Sequence, residues 1–561
     1  MSGAGPSRRG VPLALAGLLA LAYLALAASG PQAVGAWQDD AIYLATAKSL
    51  AEGRGYRHAE IPGEPLQAKY PILYPAVLAG LWRLWPDYPR NLPLLLAPGA
   101  AAAAALVLLS FATLRRQLRL PAREALALAG LAALSPELLS MVRFAMSDLL
   151  YAALALAAMA LLDDAVESGA RERPGGPRAG PGARLAGCAL LIAASILTRS
   201  IGVTLLAGSA LFLLWRRRPR EAAWLGLLVA LLLAPWLLRQ ASAQAQNAAS
   251  FPGTLLVSEL DYETWRPGSG LEPLRVAFQN LFKLAFGLPY FALGLPPGFA
   301  LRALAAWSWR TALLHALGTA SLALVALGFA GSARRGARAL HFCAVPYALV
   351  VLAYPGDPYR FLLPWVPFLL HFLFAGLGRA APLLRLPPRA AAAALYGLLA
   401  ALFLAEAWRI AASDADHYHF RVAQRSWREL RALEDWVRAE TSPRDVIASG
   451  DFAALYLATG RQGYYLWPIL DPYAQFNGPD RRWWSFFVRA GLGASEALDR
   501  ETGALLPSAY REAGVDWYVD NARPDLMTEA VRRFAAARPG SFEPRFTTPG
   551  REYRVYRVRL P

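Results

Sequence analysis

The chain has 561 residues, of which 56% are hydrophobic and only 17% are charged. A soluble protein carries about 25% charged and about 45–50% apolar residues, so this composition excludes an ordinary soluble protein and indicates helices that face lipid. It also excludes a disordered chain, a collagen and a disulfide scaffold. The formal net charge of +17 is typical either of a nucleic-acid-binding protein or of a membrane protein with arginine-rich cytoplasmic loops.

Apolar segments along the chain predict about eleven transmembrane helices, since about 30 Å of hydrocarbon is crossed at 1.5 Å per residue. The predicted spans are 11–29, 92–114, 124–141, 149–162, 184–198, 200–215, 222–238, 312–330, 339–354, 361–378 and 390–410. One long helix over 184–215 is an open alternative to two spans. We expect an uncleaved first span, although a signal peptide would also fit its flanking residues.

The distribution of arginine supports this topology. If the N-terminus is cytoplasmic, the six inside loops together hold 20 Arg and 6 acidic residues, whereas the short outside loops hold single arginines. This is the positive-inside pattern of a multi-pass protein, and we expect it in the plasma (inner) membrane with no nucleic-acid partner. The inside loops are 1–10, 115–124, 163–184, 216–221, 331–338 and 379–389.

The C-terminal segment 412–561 is then extracytoplasmic. It holds 21 Arg and 20 acidic residues, a balance typical of a soluble domain, and its periodicity predicts mixed helices and strands. The predicted fold is therefore mainly α, with a transmembrane domain over 1–411 and a small extracytoplasmic α/β domain. Two long outer loops are expected at 30–91 and 240–311, and the first includes a juxtamembrane helix at 72–85.

Acidic residues at the outer surface are the candidate catalytic groups. Asp39 and Asp40 follow the first span, and a helix would place Tyr43 on the same face as Asp39. Asp148 stands where a later span begins, on the same side of the membrane, and an ionisable group there usually faces a bundle interior or a watery cavity. Helix capping is the structural alternative for each acid.

The basic candidates are cations that the positive-inside rule does not explain. Lys69 is one of three lysines in an arginine-rich chain and lies beside Tyr70 and Tyr74. It is either a point charge for phosphate or a snorkelling interfacial lysine. Three arginines interrupt the outer ends of apolar runs, where they pair with a carboxylate or bind phosphate. They are Arg199, Arg239 and Arg360, which follows Tyr359.

Other catalytic patterns find little support in the sequence. It has no GxSxG, no CxxC and no glycine-rich phosphate loop followed by Lys-Ser/Thr. His417 and His419 lie near two aspartates, and together these residues could bind a divalent metal. We favour the alternative that they form a solvated start to the outer domain. No cofactor is predicted beyond that possible metal.

The order of these motifs resembles the GT-C superfamily of integral-membrane glycosyltransferases. The resemblance is closest to the family 39 type, which includes protein O-mannosyltransferases and the aminoarabinose transferase of lipid A, and it covers most of residues 11–410. The matching motifs are Asp39-Asp40-x-x-Tyr43, Gly53-x-Gly55-Tyr56, Lys69-x-Pro71-x-x-Tyr74-Pro75, Asp148, Thr198-Arg199, Pro235-Trp236-x-x-Arg239 and Tyr359-Arg360-x-x-x-Pro364.

The resemblance implies an inverting transfer of a hexose or pentose from a polyprenyl-phosphate carrier to an extracytoplasmic lipid, glycan or protein. Asp39 would be the general base, and Lys69 and Arg360 would hold the leaving phosphate. The further candidates are Asp40 and Asp148 for catalysis, Arg199 and Arg239 for phosphate, and Tyr43, Tyr70, Tyr74 and Tyr359 for positioning the substrates.

Two alternatives have other chemistry. A transporter or flippase of a lipid-linked substrate would place its charges near mid-bilayer and repeat one half of the chain in the other. A non-catalytic scaffold would use its outer domain to bind cell-wall material and would tolerate changes at Asp39 and Lys69.

Overall fold

The structure, a computed structural model, describes most of the chain. The described residues are 10–29, 34–168, 181–250, 272–291, 309–354, 359–383, 385–412, 427–464, 506–508, 510–521 and 526–560. Within them the chain is mainly helical, with one five-stranded sheet close to the C-terminus. The possible metal ligands at His417 and His419 lie outside the described residues.

Helices account for most of the described elements. They are α1 (Gly10–Ala28), α2 (Asp39–Ala51), α3 (Leu73–Leu84), α4 (Leu92–Arg116), α5 (Ala122–Ala133), α6 (Pro136–Met141), α7 (Asp148–Ser168), α8 (Pro181–Thr198), α9 (Val203–Trp215), α10 (Pro219–Ser250), α11 (Glu272–Phe291), α12 (Trp309–Gly336), α13 (Ala339–Ala353), α14 (Val366–Leu383), α15 (Pro388–Ala411), α16 (Trp427–Glu440), α17 (Phe452–Thr459) and α18 (Leu526–Ala537). Short 3-10 helices occupy Ser200–Gly202 and Tyr359–Trp365.

Six of the described helices are long and apolar enough to cross a membrane. They are Leu92–Arg116, Asp148–Glu167, Pro219–Ser250, His315–Gly336, Arg360–Leu383 and Pro388–Ala411. Several carry large exposed side chains, such as Leu231 and Leu238 of α10, which is the expected surface of a helix in lipid. The chain is therefore a multi-pass membrane protein, and the number of eleven spans stays a prediction.

Two of the apolar segments, 124–141 and 184–215, are each divided into two helices in the structure. The single span expected at 124–141 is instead α5 followed by α6. Pro136 begins α6, where its fixed φ and missing N–H suit a helix start but would interrupt a continuous helix. The segment 184–215 is two helices, as in the favoured interpretation, with Arg199 and a 3-10 turn between them.

Residues 34–91 pack around α2; we call them the outer loop after the side of the membrane that the sequence predicts, which stays a prediction. Most side chains of α2 are buried, although the helix is short and contains two aspartates in its first turn. A helix, α3, is present where the sequence predicts a juxtamembrane one, and its C-terminal end exposes Leu84 and Trp85. A half-buried helix with exposed aromatic and aliphatic residues is typical of the membrane interface.

The C-terminal sheet has the strand order β2-β1-β3-β5-β4. Its strands are β1 (Val446–Ser449), β2 (Gly463–Tyr464), β3 (Val515–Asn521), β4 (Phe542–Thr547) and β5 (Tyr553–Val558). β1 pairs in parallel with β2 and β3, whereas β5 pairs antiparallel with β3 and β4. Helices and sheet together form the small mixed α/β unit that the sequence predicts.

This α/β unit contacts the outer loop directly. The amide of Gly463 donates to the carbonyl oxygen of Glu60 at 2.8 Å, and Gln462 Nε2 donates to the carbonyl oxygen of Ala59 at 3.0 Å. Arg54 Nη2 also donates to the Tyr456 hydroxyl at 3.0 Å. The C-terminal unit therefore lies beside the loop that carries Asp39 and Lys69.

Candidate functional site

A strained turn precedes Asp39. Gln38 has φ 63° and ψ −51°, and the amide of Asp39 donates to the carbonyl oxygen of Trp37 at 2.7 Å. This is a γ-turn with positive φ, a conformation that is rare and strained for a residue other than glycine. Asp40 is fully buried and accepts the amides of Gly35 at 2.8 Å and Trp37 at 3.2 Å. Asp40 thus holds the turn from inside, and Asp39 begins α2.

The carboxylate of Asp39 receives a donor on each oxygen. The Tyr70 hydroxyl donates to Oδ1 at 2.6 Å, and Arg360 Nη2 donates to Oδ2 at 2.8 Å. Burial alone would raise the pKa of Asp39, but Arg360, the Tyr70 hydrogen bond and Lys69 outweigh it and lower that pKa below its usual value. Asp39 is therefore ionised at neutral pH while a fifth of its side chain stays exposed.

Arg360 connects Asp39 with Asp148. Its Nε atom lies 3.3 Å from Asp148 Oδ1, while Arg199 Nη1 donates to the other oxygen, Oδ2, at 2.6 Å. The Asp148 carboxylate and the Arg199 guanidinium are both almost completely buried. Two carboxylates and two guanidinium groups thus form one nearly neutral cluster, in which each buried charge has an opposite partner.

Four separate parts of the chain supply this cluster. Asp39 begins α2, Asp148 begins α7, Arg199 lies at the break after α8, and Arg360 lies in the 3-10 helix before α14. All four positions are at helix ends, where backbone breaks let a charged side chain reach the neighbouring element. Arg360 also lies 5.3 Å from the centre of the Trp37 ring, which adds a cation–π contact.

Hydroxyl groups continue the cluster toward Tyr43. Arg199 Nη1 donates to Ser147 Oγ at 3.3 Å, and the Ser147 and Tyr43 hydroxyls are 3.0 Å apart. The Tyr43 ring packs edge-on against the rings of Tyr70 and Tyr74, with centroid distances of 5.1 and 5.4 Å. The contacts therefore run in a circuit from Tyr70 through Asp39, the cluster and Tyr43 back to Tyr70.

Lys69 lies next to this circuit. Its Nζ is 5.5 Å from the centre of the Tyr70 ring, and its charge helps to lower the pKa of Asp39. The side chain is only half-buried. Lys69 therefore adds a half-buried positive charge whose field reaches Asp39.

Other residues singled out in the sequence have different surroundings. Arg239 donates to the carbonyl oxygens of Gln67 and, at 2.8 Å, of Tyr56, and its guanidinium packs on the Tyr56 ring at 4.9 Å. It supports the outer loop, and the Asp39–Arg360 cluster does not include it. The hydroxyl of Tyr74 is buried without a hydrogen-bond partner in the described residues. Tyr359 begins the 3-10 helix that carries Arg360.

Sequence reasoning missed two polar residues of the site, Gln67 and Ser147, as contact residues. Gln67 Oε1 accepts the amides of Lys69 at 2.9 Å and Tyr70 at 3.0 Å. In the sequence, the only signals were the proximity of Gln67 to Lys69 and of Ser147 to Asp148. Among the described residues, no group of three or more His, Cys, Asp or Glu side chains could hold a metal ion.

The chain is similar to two solved GT-C glycosyltransferase structures over nearly its full length. ArnT from Cupriavidus metallidurans in the apo state has a TM-score of 0.53 at 12% identity, covering 98% of this chain and 98% of that one. The archaeal oligosaccharyltransferase AglB from Archaeoglobus fulgidus, in complex with an inhibitory peptide and a dolichol-phosphate, has 0.53 at 13% identity, covering 98% and 74%.

These similarities are structural, since no protein-family model matches the sequence and comparison with curated proteins gives no match. Each covers 98% of this chain, and at this identity they establish the fold. The resemblance in the order of sequence motifs is therefore confirmed at the level of architecture: the chain has the fold of the GT-C superfamily of membrane glycosyltransferases.

Proposed function

We propose that this protein is an inverting glycosyltransferase that moves a sugar from a polyprenyl-phosphate carrier to an extracytoplasmic lipid, glycan or protein. The observation that carries the proposal is the environment of Asp39. An ionised, partly exposed carboxylate beside Arg360 and Lys69 offers a base for an acceptor hydroxyl or amine and cations for a departing phosphate. The fold, whose solved relatives are glycosyltransferases, supports the same class.

In the proposed reaction, the acceptor oxygen or nitrogen attacks the anomeric carbon while Asp39 takes the acceptor proton. Each oxygen of Asp39 accepts one hydrogen bond and retains a lone pair for that proton. The bond from the anomeric carbon to the phosphate oxygen breaks, and its electron pair leaves with the polyprenyl phosphate. Lys69 and Arg360 stabilise the negative charge that develops on this leaving group.

A lipid-phosphate donor fits this position. AglB has been solved with a dolichol-phosphate, a polyprenyl phosphate of the same chemical class. A donor of this kind needs cations at the membrane surface next to apolar helices, and Lys69 lies close to the interfacial helix α3. Asp148 and Arg199 act in this scheme by fixing the direction of Arg360.

Reconstitution tests the proposal. Proteoliposomes that contain the wild type or Asp39→Asn receive a panel of radiolabelled undecaprenyl-phosphate sugars, hexoses and pentoses, with a cell-envelope extract as the acceptor source. We expect transfer to fall by about 10²–10⁴-fold in Asp39→Asn, the range for loss of a general base. Transfer at the wild-type rate would remove Asp39 from the mechanism.

Asp87→Asn is the matched control. Asp87 belongs to the same outer loop, but its carboxylate is half-exposed and pairs with the exposed Arg90. The same chemical change there is expected to leave transfer within about twofold of wild type, since exposed ion pairs contribute little. Equal losses in both variants would indicate a general effect on folding and would contradict the specific role of Asp39.

The proposal also places the active face outside the cytoplasm of a plasma (inner) membrane, with the N-terminus inside. An alkaline phosphatase fused after Pro561 should be active, because this enzyme folds only in an oxidising compartment. A fluorescent reporter that matures only in the cytoplasm should stay dark in the same place. The reverse result would put Asp39 on the cytoplasmic side and exclude an extracytoplasmic acceptor.

A further inference from the structure

The segment that carries Lys69 and Tyr70 is fixed along its length by one helix. Asn247 binds both backbone groups of Leu66, its Oδ1 accepting the amide at 2.9 Å and its Nδ2 donating to the carbonyl at 2.8 Å. Gln240 Nε2 donates to the carbonyl oxygen of Ala68 at 2.9 Å, and Arg239 donates to that of Gln67. The C-terminal part of α10 therefore fixes the backbone of residues 66–68.

Gln67 transmits that support to the next residues. Its side chain is fully buried, and Oε1 accepts the amides of both Lys69 and Tyr70. The side-chain oxygen of Gln67 thus accepts the hydrogen bonds that a backbone carbonyl would accept in a turn. The other end of the side chain, Nε2, is buried without a partner in the described residues, so the contacts of Gln67 are those of an acceptor.

Tyr70 is fixed on its other side as well. The Tyr56 hydroxyl donates to the carbonyl oxygens of Tyr70 at 2.9 Å and Pro71 at 3.2 Å. With its amide on Gln67 and its carbonyl on Tyr56, the Tyr70 backbone has little freedom to rotate. Its hydroxyl is therefore directed onto Asp39 Oδ1, where the short distance of 2.6 Å makes direction important.

We propose that Gln67 is a positioning residue for catalysis: its side-chain oxygen sets the backbone of Lys69 and Tyr70 so that the Tyr70 hydroxyl meets Asp39. The inference rests on the proposed function, because it concerns the base of that reaction. A purely structural role for Gln67 would affect thermal stability and leave the ionisation of Asp39 unchanged. The positioning role instead couples Gln67 to the pH dependence of transfer.

The direction of that coupling follows from the groups that face Asp39. Those that favour its ionised form are the Arg360 guanidinium, the Tyr70 hydroxyl and the Lys69 ammonium. Asp40 on the same helix and Asp148 on α7 carry like charges, whereas Arg199 adds a positive charge behind Asp148. Losing the Tyr70 hydrogen bond removes one stabilising contact, so the pKa of Asp39 rises and the base becomes protonated at a higher pH.

The test compares Gln67→Met, which keeps the length of the side chain but lacks the acceptor, with Gln67→Asn, which keeps a neutral amide oxygen one carbon shorter. In the reconstituted assay, kcat/KM is measured against pH. We expect Gln67→Met to lower kcat/KM about tenfold, as for a lost hydrogen bond to a charged group, and to move the acidic limb of the profile to higher pH. Gln67→Asn should move the limb less, because its neutral oxygen can still accept a hydrogen bond without adding a charge near Asp39.

A double-mutant cycle with Tyr70→Phe adds a second readout. If Gln67 acts through the Tyr70 hydroxyl, Gln67→Met should have little further effect in the Tyr70→Phe background. Gln246→Met is the matched control, because Gln246 is exposed on α10 and its side-chain amide donates to Ser242 Oγ. If Gln67→Met fails to fold, Gln67→Leu, which also lacks the acceptor, replaces it.

Two results would overturn the inference. The first is a wild-type pH profile in a Gln67 variant that lacks the acceptor. The second is full additivity between the effects of Gln67→Met and Tyr70→Phe. Failure of the proposed function is separate, since the wild type would then transfer no sugar or Asp39→Asn would retain full transfer. An inactive Asp39→Asn beside an unaltered Gln67→Met would reject the positioning role alone.

Discussion

Arg360 Nη2 donates to Asp39 Oδ2 at 2.8 Å, although 321 positions separate the two residues in the chain. The same guanidinium reaches Asp148 through Nε at 3.3 Å. The planar fork of an arginine suits such a bridge because its donors point in fixed directions. This bridge joins the first outer loop to the transmembrane helices, and a phosphate that enters the site would meet a cation already oriented by two carboxylates.

Arg360→Lys should therefore be a severe change despite keeping the charge. A lysine ammonium is a point charge and cannot span both carboxylates with two directed donors. We expect kcat/KM for sugar transfer to fall at least tenfold and the acidic limb of the pH profile to move upward, because Asp39 loses its main stabilising partner. Arg90→Lys, at an exposed arginine, is the control; matching losses in the two variants would refute the bridging role.

The buried pair of Asp148 and Arg199 predicts non-additive effects on stability. Breaking such a pair by removing one partner costs about 3–5 kcal/mol, because the other charge stays buried. Asp148→Asn and Arg199→Met should each lower the melting temperature in detergent, and the double variant should lose less than the two losses combined. Additive losses would mean that the two side chains do not stabilise each other.

Much of the architecture could be predicted because apolar length and arginine bias are strong signals. Helices α4, α7, α12 and α15 lie close to the predicted spans. The break at Pro136 was missed because a proline is compatible with both a kinked span and a helix start. The two-residue strand β2 and the proline-containing strand β4 carry too little alternation to be recognised.

The candidate site was predictable in part for a different reason. Sidedness alone indicated that Asp39, Lys69, Asp148 and Arg360 share one face, and the structure brings these four together; their roles stay predictions. Arg239 shared the same sidedness but bonds to backbone carbonyls, because sidedness does not specify neighbours. Proximity to Lys69 was the only sequence signal for Gln67, since its contacts are with the backbone amides of Lys69 and Tyr70.

Asp40 should give stability an unusual dependence on pH. Burial raises the pKa of Asp40 to about 6, although the amides of Gly35 and Trp37 partly oppose that rise. A carboxyl whose folded pKa exceeds its unfolded value, about 3.9, stabilises the protein below the unfolded value and loses this contribution as pH rises through about 6.

Asp40→Asn removes that titration. The melting temperature of wild type minus that of Asp40→Asn should therefore decrease as pH rises from about 4 to about 7, measured in one detergent at fixed ionic strength. Subtracting the variant cancels most other titrating groups, which both proteins share. A difference that stays constant or increases over this range would contradict a raised pKa.

Gly463 makes the contact between the C-terminal sheet and the outer loop sensitive to one methyl group. A Cβ at Gly463 would lie 2.0 Å from the carbonyl oxygen of Ile447, far inside van der Waals contact, so β2 would have to move away from β1. The amide of Gly463 would then leave the Glu60 carbonyl. Gly463→Ala should consequently loosen the C-terminal unit and speed limited proteolysis of residues 427–464 several-fold.

Gly397→Ala is the matched control, since a Cβ there meets no atom within 4 Å, and its cleavage rate should equal that of wild type. Equal protection of Gly463→Ala and Gly397→Ala would show that the sheet is held by its other contacts, among them the bond from Arg54 to Tyr456.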